Sequence, residues 1–481
     1  MTEISDVVPE PFEAGPKPVD PWLAAVPVIA GIVLVTLDTT IVNVALRDIG
    51  HDLGVGTSIA WVATAYFLGT CGSQPVAGWL AGRLGQKGVF LTAFIGFCLA
   101  SVGCAASPNL GALVAMRVVQ GSAGGVMAPV GMAMMLSLIP REMHGRAMGI
   151  ASMALMLTPA VGPTAGGLIV DNVSWHWLFL VNVPIGALAI VAGRRLIPVV
   201  GVRSDRAFDG VGLLLGSGGL SLAALGLMQG NDWGWTSTAT VTSLAIGVAA
   251  LAAFVAYELK IPHPLVELRM LSLSNFRSAL IIMMLVAMAQ FGRLVFVPLA
   301  LESLRGYSAL EAGALLAPGA LVGMAASFAS GRLIERVGPR LPIVAGCVLS
   351  LVGTLGLTRL QLDTPVFVVG AILSVQSAGM GLVIAPAMVA GISELPAHLI
   401  PQGTGMRSLG GQVSGALAVA ILGAVVSTRM GVDPTPAHAQ ATYNSAFYAA
   451  ALGVVIALVL ALRMPPQVSR HDDGPMLLSP E

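Results

Sequence analysis

The stretch GIVLVTLDTTIVNVAL, residues 31–46, decides the class of this chain. It is almost wholly apolar, yet Asp38 sits inside it. About 20 such residues cross a bilayer as a helix. An ionised carboxylate at that depth costs about 2.5–3.5 kcal/mol or more, so such a residue is kept for a reason. Its company is polar but uncharged: Thr39, Thr40 and Asn43. Three states are open to it: neutral, paired with a cation, or alternating between the two. A permanently protonated structural carboxyl and a proton carrier are both compatible with the sequence.

The rest of the chain agrees with a membrane setting. Of 481 residues, 56% are hydrophobic and only 10% charged, where a soluble domain carries about 25% charged residues. The fold class expected is an all-α polytopic membrane protein. A formal net charge of zero gives no electrostatic case for nucleic acid. Lysine is rare among the basic residues (Lys17, Lys87 and Lys260 only), a bias that points to a GC-rich bacterial genome. Cys71, Cys98, Cys104 and Cys347 lie in apolar runs and read as small buried residues. No metal-ligand cluster or nucleophile–His–acid set stands out, so neither cofactor nor enzymatic activity is expected. The first 20 residues are acidic and Pro-rich, unlike a signal peptide.

Fourteen apolar segments are expected, near 23–46, 58–80, 88–107, 110–138, 146–170, 176–198, 210–229, 239–258, 276–301, 310–332, 341–360, 365–390, 403–428 and 443–464. Arginine and lysine fall in alternate loops, among them Arg83, Lys87, Arg141, Arg146, Arg194, Arg195, Arg203, Arg206, Lys260, Arg269, Arg277, Arg332, Arg336 and Arg340. The positive-inside rule makes those loops cytoplasmic, with both termini on that side. Trp175, Trp177, Trp233 and Trp235 fall in the opposite loops, where indoles are expected to anchor at the interface.

The loop GWLAGRLGQK (78–87) repeats as GRLIERVGPR (331–340). The copies follow segments 2 and 10, an even offset of eight, so two six-helix halves run parallel with two extra helices between them. The division expected is a tail (1–22), a six-helix bundle (23–200), two additional helices (201–260), a second six-helix bundle (261–464) and a tail (465–481).

Five stretches carry a resemblance: LDTTIVNVAL (37–46), GWLAGRLGQKGVFL (78–91), RVVQGSAGG (117–125), VGPTAGG (161–167) and SWHWLFLVNVPIG (174–186), with MRSLGGQVSGALAVAIL (406–422) in support. Together they resemble the fourteen-helix drug:proton antiporters of the major facilitator superfamily, the branch of EmrB and QacA. The resemblance implies alternating access and proton-driven export of small amphipathic compounds from a bacterial cell membrane, by a monomer in contact with protons, substrate and lipid. It implies no ATP, in keeping with the lack of a G-x-x-x-x-G-K-[ST] loop. It gives Asp38 and Arg117 the proton-coupling role.

On chemistry alone, Gly162, Pro163, Gly166 and Gly167 allow close helix packing; the resemblance makes them an antiporter hinge or seal. Arg117 is a guanidinium that keeps its charge and is either a structural partner of carbonyls or part of the coupling. Arg293, Glu302 and Arg407 are further embedded charges; Arg407, near an inner end, is placed to snorkel to water. Embedded charge therefore leans positive, which favours neutral or anionic substrates over dications. Asn43, Gln120, Met156, Met288 and Gln290 are candidates for the substrate cavity. The other methionines at helical positions (Met127, Met132, Met134, Met135, Met153, Met283, Met284) read mainly as packing.

Gly78, Gly82, Arg83, Gly85, Lys87, Glu335, Arg336 and Arg340 are the expected cytoplasmic gating residues. The family pattern has an acid where this chain has Gly82, which predicts a weaker charge latch in the first half and a larger inward-open population. Two other readings fit the scaffold: a transporter of lipids or lipid precursors, and a membrane receptor or assembly scaffold that no longer transports.

Overall fold

A computed structural model describes residues 20–199, 207–262, 264–307, 309–361, 363–396, 399–430 and 436–465. The predicted tails lie almost wholly outside them. The described residues are helical throughout, with no strand. The helices are α1 (Pro21–Asp52), α2 (Ala60–Leu84), α3 (Gln86–Ala105), α4 (Leu110–Leu138), α5 (His144–Asn172), α6 (His176–Leu180), α7 (Asn182–Leu196), α8 (Gly210–Trp233), α9 (Thr238–Glu258), α10 (Ser274–Arg305), α11 (Ala309–Val337), α12 (Arg340–Leu357), α13 (Val366–Ile392), α14 (Ile400–Met430) and α15 (Pro436–Arg463).

Counting α6 and α7 as one, eleven helices are long and apolar enough to cross a membrane. The remaining long helices, α2, α5 and α14, are diluted by Gly, Ser, Thr and Gln. These are helices that meet between the bundles, where small residues permit close approach.

The segment expected as one helix over 176–198 is broken. Pro184 has no N–H to give the Leu180 carbonyl, and the chain turns at Val181 before α7 begins. Asn182 stands at that break, buried.

α1–α7 and α10–α15 form two bundles with matching internal contacts: α2 on α4 and α11 on α13, α3 on α4 and α12 on α13, α1 on α5 and α10 on α14. The loop repeat holds at the level of geometry. Gly85 and Gly338 occupy the same place in the two copies, and both have positive φ, +87° and +75°. That conformation suits glycine and turns the chain into the next helix. Lys87 and Arg340 also correspond. Lys87 Nζ donates to the carbonyls of Ile197 (2.5 Å) and Arg194 (3.1 Å), and Arg340 donates to that of Leu462 (2.6 Å). Each closes the C-terminus of the last helix of its own bundle, where carbonyls lack partners and cations are favoured. These two residues, expected to gate between the bundles, pin each bundle to itself instead.

The bundles meet at the end bearing the basic loops. There Gly145 and Gly149 of α5 lie against Gly331 of α11, so close that a Cβ on Gly331 would stand 2.6 Å from the Gly145 carbonyl. On the pseudo-equivalent side, Gly78 of α2 lies against Gln402 of α14, Gln74 Nε2 donates to Ser408 Oγ (2.9 Å), and Thr404 donates to the Pro129 carbonyl (3.0 Å). One continuous apolar cluster crosses this seam, from Met135 and Met148 to Ile334, Met388 and Met406. At the opposite end each bundle keeps a cluster of its own, around Ile41, Val62 and Trp175 in one and Phe296, Leu357 and Tyr443 in the other. The structure is thus closed at the basic end, and close packing of small residues contributes to that closure. Glu335 and Arg336 are exposed. Gly82 lies within α2, not in a turn.

α8 and α9 pack on each other, and α8 also covers α2 and α14. Trp61 and Trp233 meet there at 6.3 Å between ring centroids. Trp175, expected at the interface, is instead buried, its Nε1 donating to Asp52 at 2.8 Å. Trp177 is exposed.

Candidate functional site

Asp38 is only 1% exposed, and so is Arg117. They face each other from α1 and α4, with Arg117 NH1 on Asp38 Oδ2 at 2.5 Å. The other carboxylate oxygen accepts from Gln120 Nε2 (2.9 Å) and Asn182 Nδ2 (3.0 Å). Gln120 in turn accepts from Arg117 NH1 (2.8 Å) and donates to Ser101 Oγ (2.8 Å). Arg117 Nε donates to the Val62 carbonyl at 3.2 Å, and its guanidinium lies 4.3 Å from the centroid of the Tyr66 ring. Phe179 closes the far side at 5.7 Å.

Every neighbour donates to Asp38, the set an ionised carboxylate takes. Two charges are thereby housed in an apolar bundle as one neutral, hydrogen-bonded unit, which offsets a desolvation cost that either charge alone would not recover. The sequence left Arg117 as either a structural partner of carbonyls or part of the coupling; the structure pairs it with both the Val62 carbonyl and Asp38.

Asn182, Ser101, Tyr66 and Phe179 escaped the sequence reading. Asn182 carries a legible signal, an amide in an apolar segment two residues before a proline. Nothing in the spacing of Ser101 or Tyr66 marks them; only the fold brings them to Asp38.

VGPTAGG packs beside this site. A Cβ on Gly162 would overlap the Thr40 side chain, and one on Gly166 would lie 3.1 Å from the Ile41 carbonyl. These glycines seat α5 on α1 directly after Asp38, while Gly167 faces open space. The Pro163 side chain lies outside the described residues.

Of the cavity candidates, Asn43 is exposed and makes no bond to Asp38. Gln120 is fully enclosed in the charge network, so it lines no open cavity. Met156 is half-buried, and Met288 packs toward Gly453 of α15 in its own bundle. Met127, Met134 and Met135 are core packing.

Arg293 is 3% exposed. Among the described residues, its hydrogen bond runs to the Leu373 carbonyl at 3.5 Å and its Nε has no partner. Arg407, partly exposed, borders a recess with Phe276, Met283 and Met388, and its Nε is buried without a partner among the described residues. The Glu302 side chain lies outside the described residues. No group of three or more His, Cys, Asp or Glu that could hold a metal occurs among the described residues.

Comparison with known proteins agrees with this architecture. The Major Facilitator Superfamily description matches residues 28–419. The tetracenomycin C resistance and export protein of Streptomyces glaucescens is 34% identical over 421 residues, covering 85% of this chain and 77% of that protein. A multidrug resistance protein B homolog of Mycobacterium tuberculosis is 31% identical over 402 residues, covering 82% and 74%. Among solved structures, the human organic anion transporter MFSD10 superposes with a TM-score of 0.66 over 92% of this chain and 100% of its own, at 14% identity, a likeness of fold. The chain belongs to the Major Facilitator Superfamily: it is a multi-pass bacterial membrane transporter of small molecules and not an enzyme.

Proposed function

We propose that this chain is a proton-driven exporter of amphipathic organic compounds, a member of the fourteen-helix drug:proton antiporter branch with both termini in the cytoplasm. The observation that carries the reading is the enclosed Asp38–Arg117 unit. Protonating Asp38 removes the negative charge that balances Arg117, so the energy of keeping α1 and α4 packed changes with each proton. α1 is tied to α5 through Thr40 and Ile41 against Gly162 and Gly166. The other end of α5 forms the seam, through Gly145 and Gly149 on Gly331. One helix therefore touches both the titratable site and the gate, which gives a contiguous route from proton to conformation. The relatives' names, one stating tetracenomycin C resistance and export and the other multidrug resistance, support amphipathic compounds as cargo.

Asp38→Asn keeps the shape but cannot cycle a proton. In inverted membrane vesicles with an imposed pH gradient and a panel of cationic, neutral and anionic compounds, the variant is expected to insert normally and show no gradient-driven uptake. Undiminished uptake overturns the proposal.

A further inference from the structure

The second bundle holds a copy of the Asp38 site with the acid missing. In the first bundle, Gln120 of α4 donates to Ser101 of α3 (2.8 Å). In the second, Gln376 of α13 donates to Thr354 of α12 at 2.9 Å. Arg117 precedes Gln120 by three residues; the residue three before Gln376 is Leu373. Asp38 is the eighteenth residue of α1, and Arg293 is the twentieth of α10, the corresponding helix. So at the same depth, where one bundle sets Asp against Arg, the other sets Arg against Leu. The guanidinium reaches the Leu373 backbone carbonyl because no side chain answers it.

What surrounds Arg293 is prepared for a partner that the described residues do not supply. Its Nε and the Ser377 hydroxyl are both buried and without hydrogen bonds, as is the side-chain carbonyl of Gln290 one turn earlier on α10. Gly319 of α11 lets α13 and the guanidinium approach closely: a Cβ there would lie only 3.1 Å from Ser377 Oγ and 3.4 Å from Arg293 NH1. The Ser377 hydroxyl and the permanently charged guanidinium thus face the same point beside that glycine. No carboxylate among the described side chains makes an ion pair with Arg293. A buried guanidinium with no counter-charge is costly, and a carboxylate matches its planar fork better than any other common group.

We propose that Arg293, with Ser377, is the anchor for the carboxylate of an amphipathic organic acid, the cargo class this exporter prefers. The bound anion supplies the counter-charge that Asp38 gives Arg117 in the other bundle. The long contact to the Leu373 carbonyl is exchanged for charge-assisted bonds. This rests on the chain being a small-molecule exporter and is independent of its proton coupling.

The test is binding without any gradient, to the purified full-length protein in detergent, of dansylglycine and its uncharged counterpart dansylglycinamide. Wild-type protein is expected to bind dansylglycine at least about tenfold more tightly, the effect of one charge-assisted contact. Arg293→Gln is expected to abolish that preference while binding the amide as before. Arg293→Lys should keep part of it, and Ser377→Ala should reduce it about threefold. Equal affinity of the wild type for the two compounds overturns the proposal. So does an equal loss of both in Arg293→Gln, which marks a structural role. Should Arg293→Gln fail to fold, Ser377→Ala decides: an unchanged preference, or a uniform loss, overturns it. The pH-gradient assay with Asp38→Asn fails or succeeds separately, so the two readings are distinguishable.

Discussion

The two bundles share their scaffold and differ in their charges. Gly85 and Gly338 turn the chain with the same positive φ. Lys87 and Arg340 close the last helix of each bundle. Gln120–Ser101 and Gln376–Thr354 bridge the same helices. Yet one bundle buries a neutral Asp–Arg unit and the other buries Arg293 with only a backbone carbonyl. Geometry needed to build and gate the transporter is repeated; the chemistry is not. The first bundle holds its counter-charge internally; in the second, no carboxylate among the described residues pairs with Arg293.

The largest expected effect breaks this contrast at its root. Arg117→Leu gives the first bundle the second bundle's residue and strands Asp38. Removing one partner of a buried pair costs about 3–5 kcal/mol, so thermal unfolding in detergent should shift down by several degrees. The double variant Asp38→Asn/Arg117→Leu should recover much of that, since no lone charge remains. Arg293→Leu, the matching change in the second bundle, should leave stability unchanged or raise it, because among the described residues the guanidinium has only the 3.5 Å contact to the Leu373 carbonyl to lose. If both leucine variants destabilise alike, the bundles do not differ as described.

Much of this was legible before the structure. The apolar segments and the loop repeat contain the helical class and its two halves, because bilayer thickness and turn geometry act locally on the chain. Asp38 and Arg117 stood out since charge in a hydrophobic run is rare. Their company was not legible: Asn182 reaches Asp38 from 144 positions away, through a helix break. Part of the seam was hidden for a related reason. Basic loops draw attention to charge, while the glycines Gly145, Gly149 and Gly331 have a role that depends on what stands opposite.

The seam offers a second, smaller contrast. A Cβ on Gly331 meets backbone first, the Gly145 carbonyl at 2.6 Å and the Gly149 Cα at 3.0 Å; one on Gly78 meets the Gln402 side chain first, with Cγ at 2.9 Å, and the Gln402 backbone no nearer than 3.1 Å. Backbone cannot yield without moving a helix, whereas a glutamine side chain has rotamers to spare. Gly331→Ala should therefore disfavour the closed basic end by about 1–3 kcal/mol, and Gly78→Ala by distinctly less. Spin labels at exposed Arg83 and Arg336 report the separation of α2 and α11 across the seam, the four native cysteines being buried. A larger opening in Gly78→Ala than in Gly331→Ala would refute the argument.

The smallest effect concerns Gly82, where the two loop copies disagree in charge. Gly331 lies against Gly145, the second residue of α5, and Glu335 is one turn further along α11. Gly78 lies against Gln402 in the first turn of α14, and the residue one turn further along α2 is Gly82. So an acid is present one turn beyond the contact with a helix N-terminus at one side of the seam and missing at the other. Helix N-termini favour nearby anions by about 0.3–1 kcal/mol at exposed positions. Gly82 lies inside α2 with no positive φ, so aspartate is tolerated there by the backbone. Gly82→Asp should stabilise the contact of α2 with the start of α14 and shift the population toward the state closed at the basic end by about two- to fivefold. High salt should erase the shift, because an exposed charge is screened within about 10 Å at 0.1 M and less at higher ionic strength. The same Arg83–Arg336 label pair reads it. An unchanged distance distribution in a variant that still transports would show that the seam is governed by packing alone and that the acid of the second copy, Glu335, does nothing for closure either.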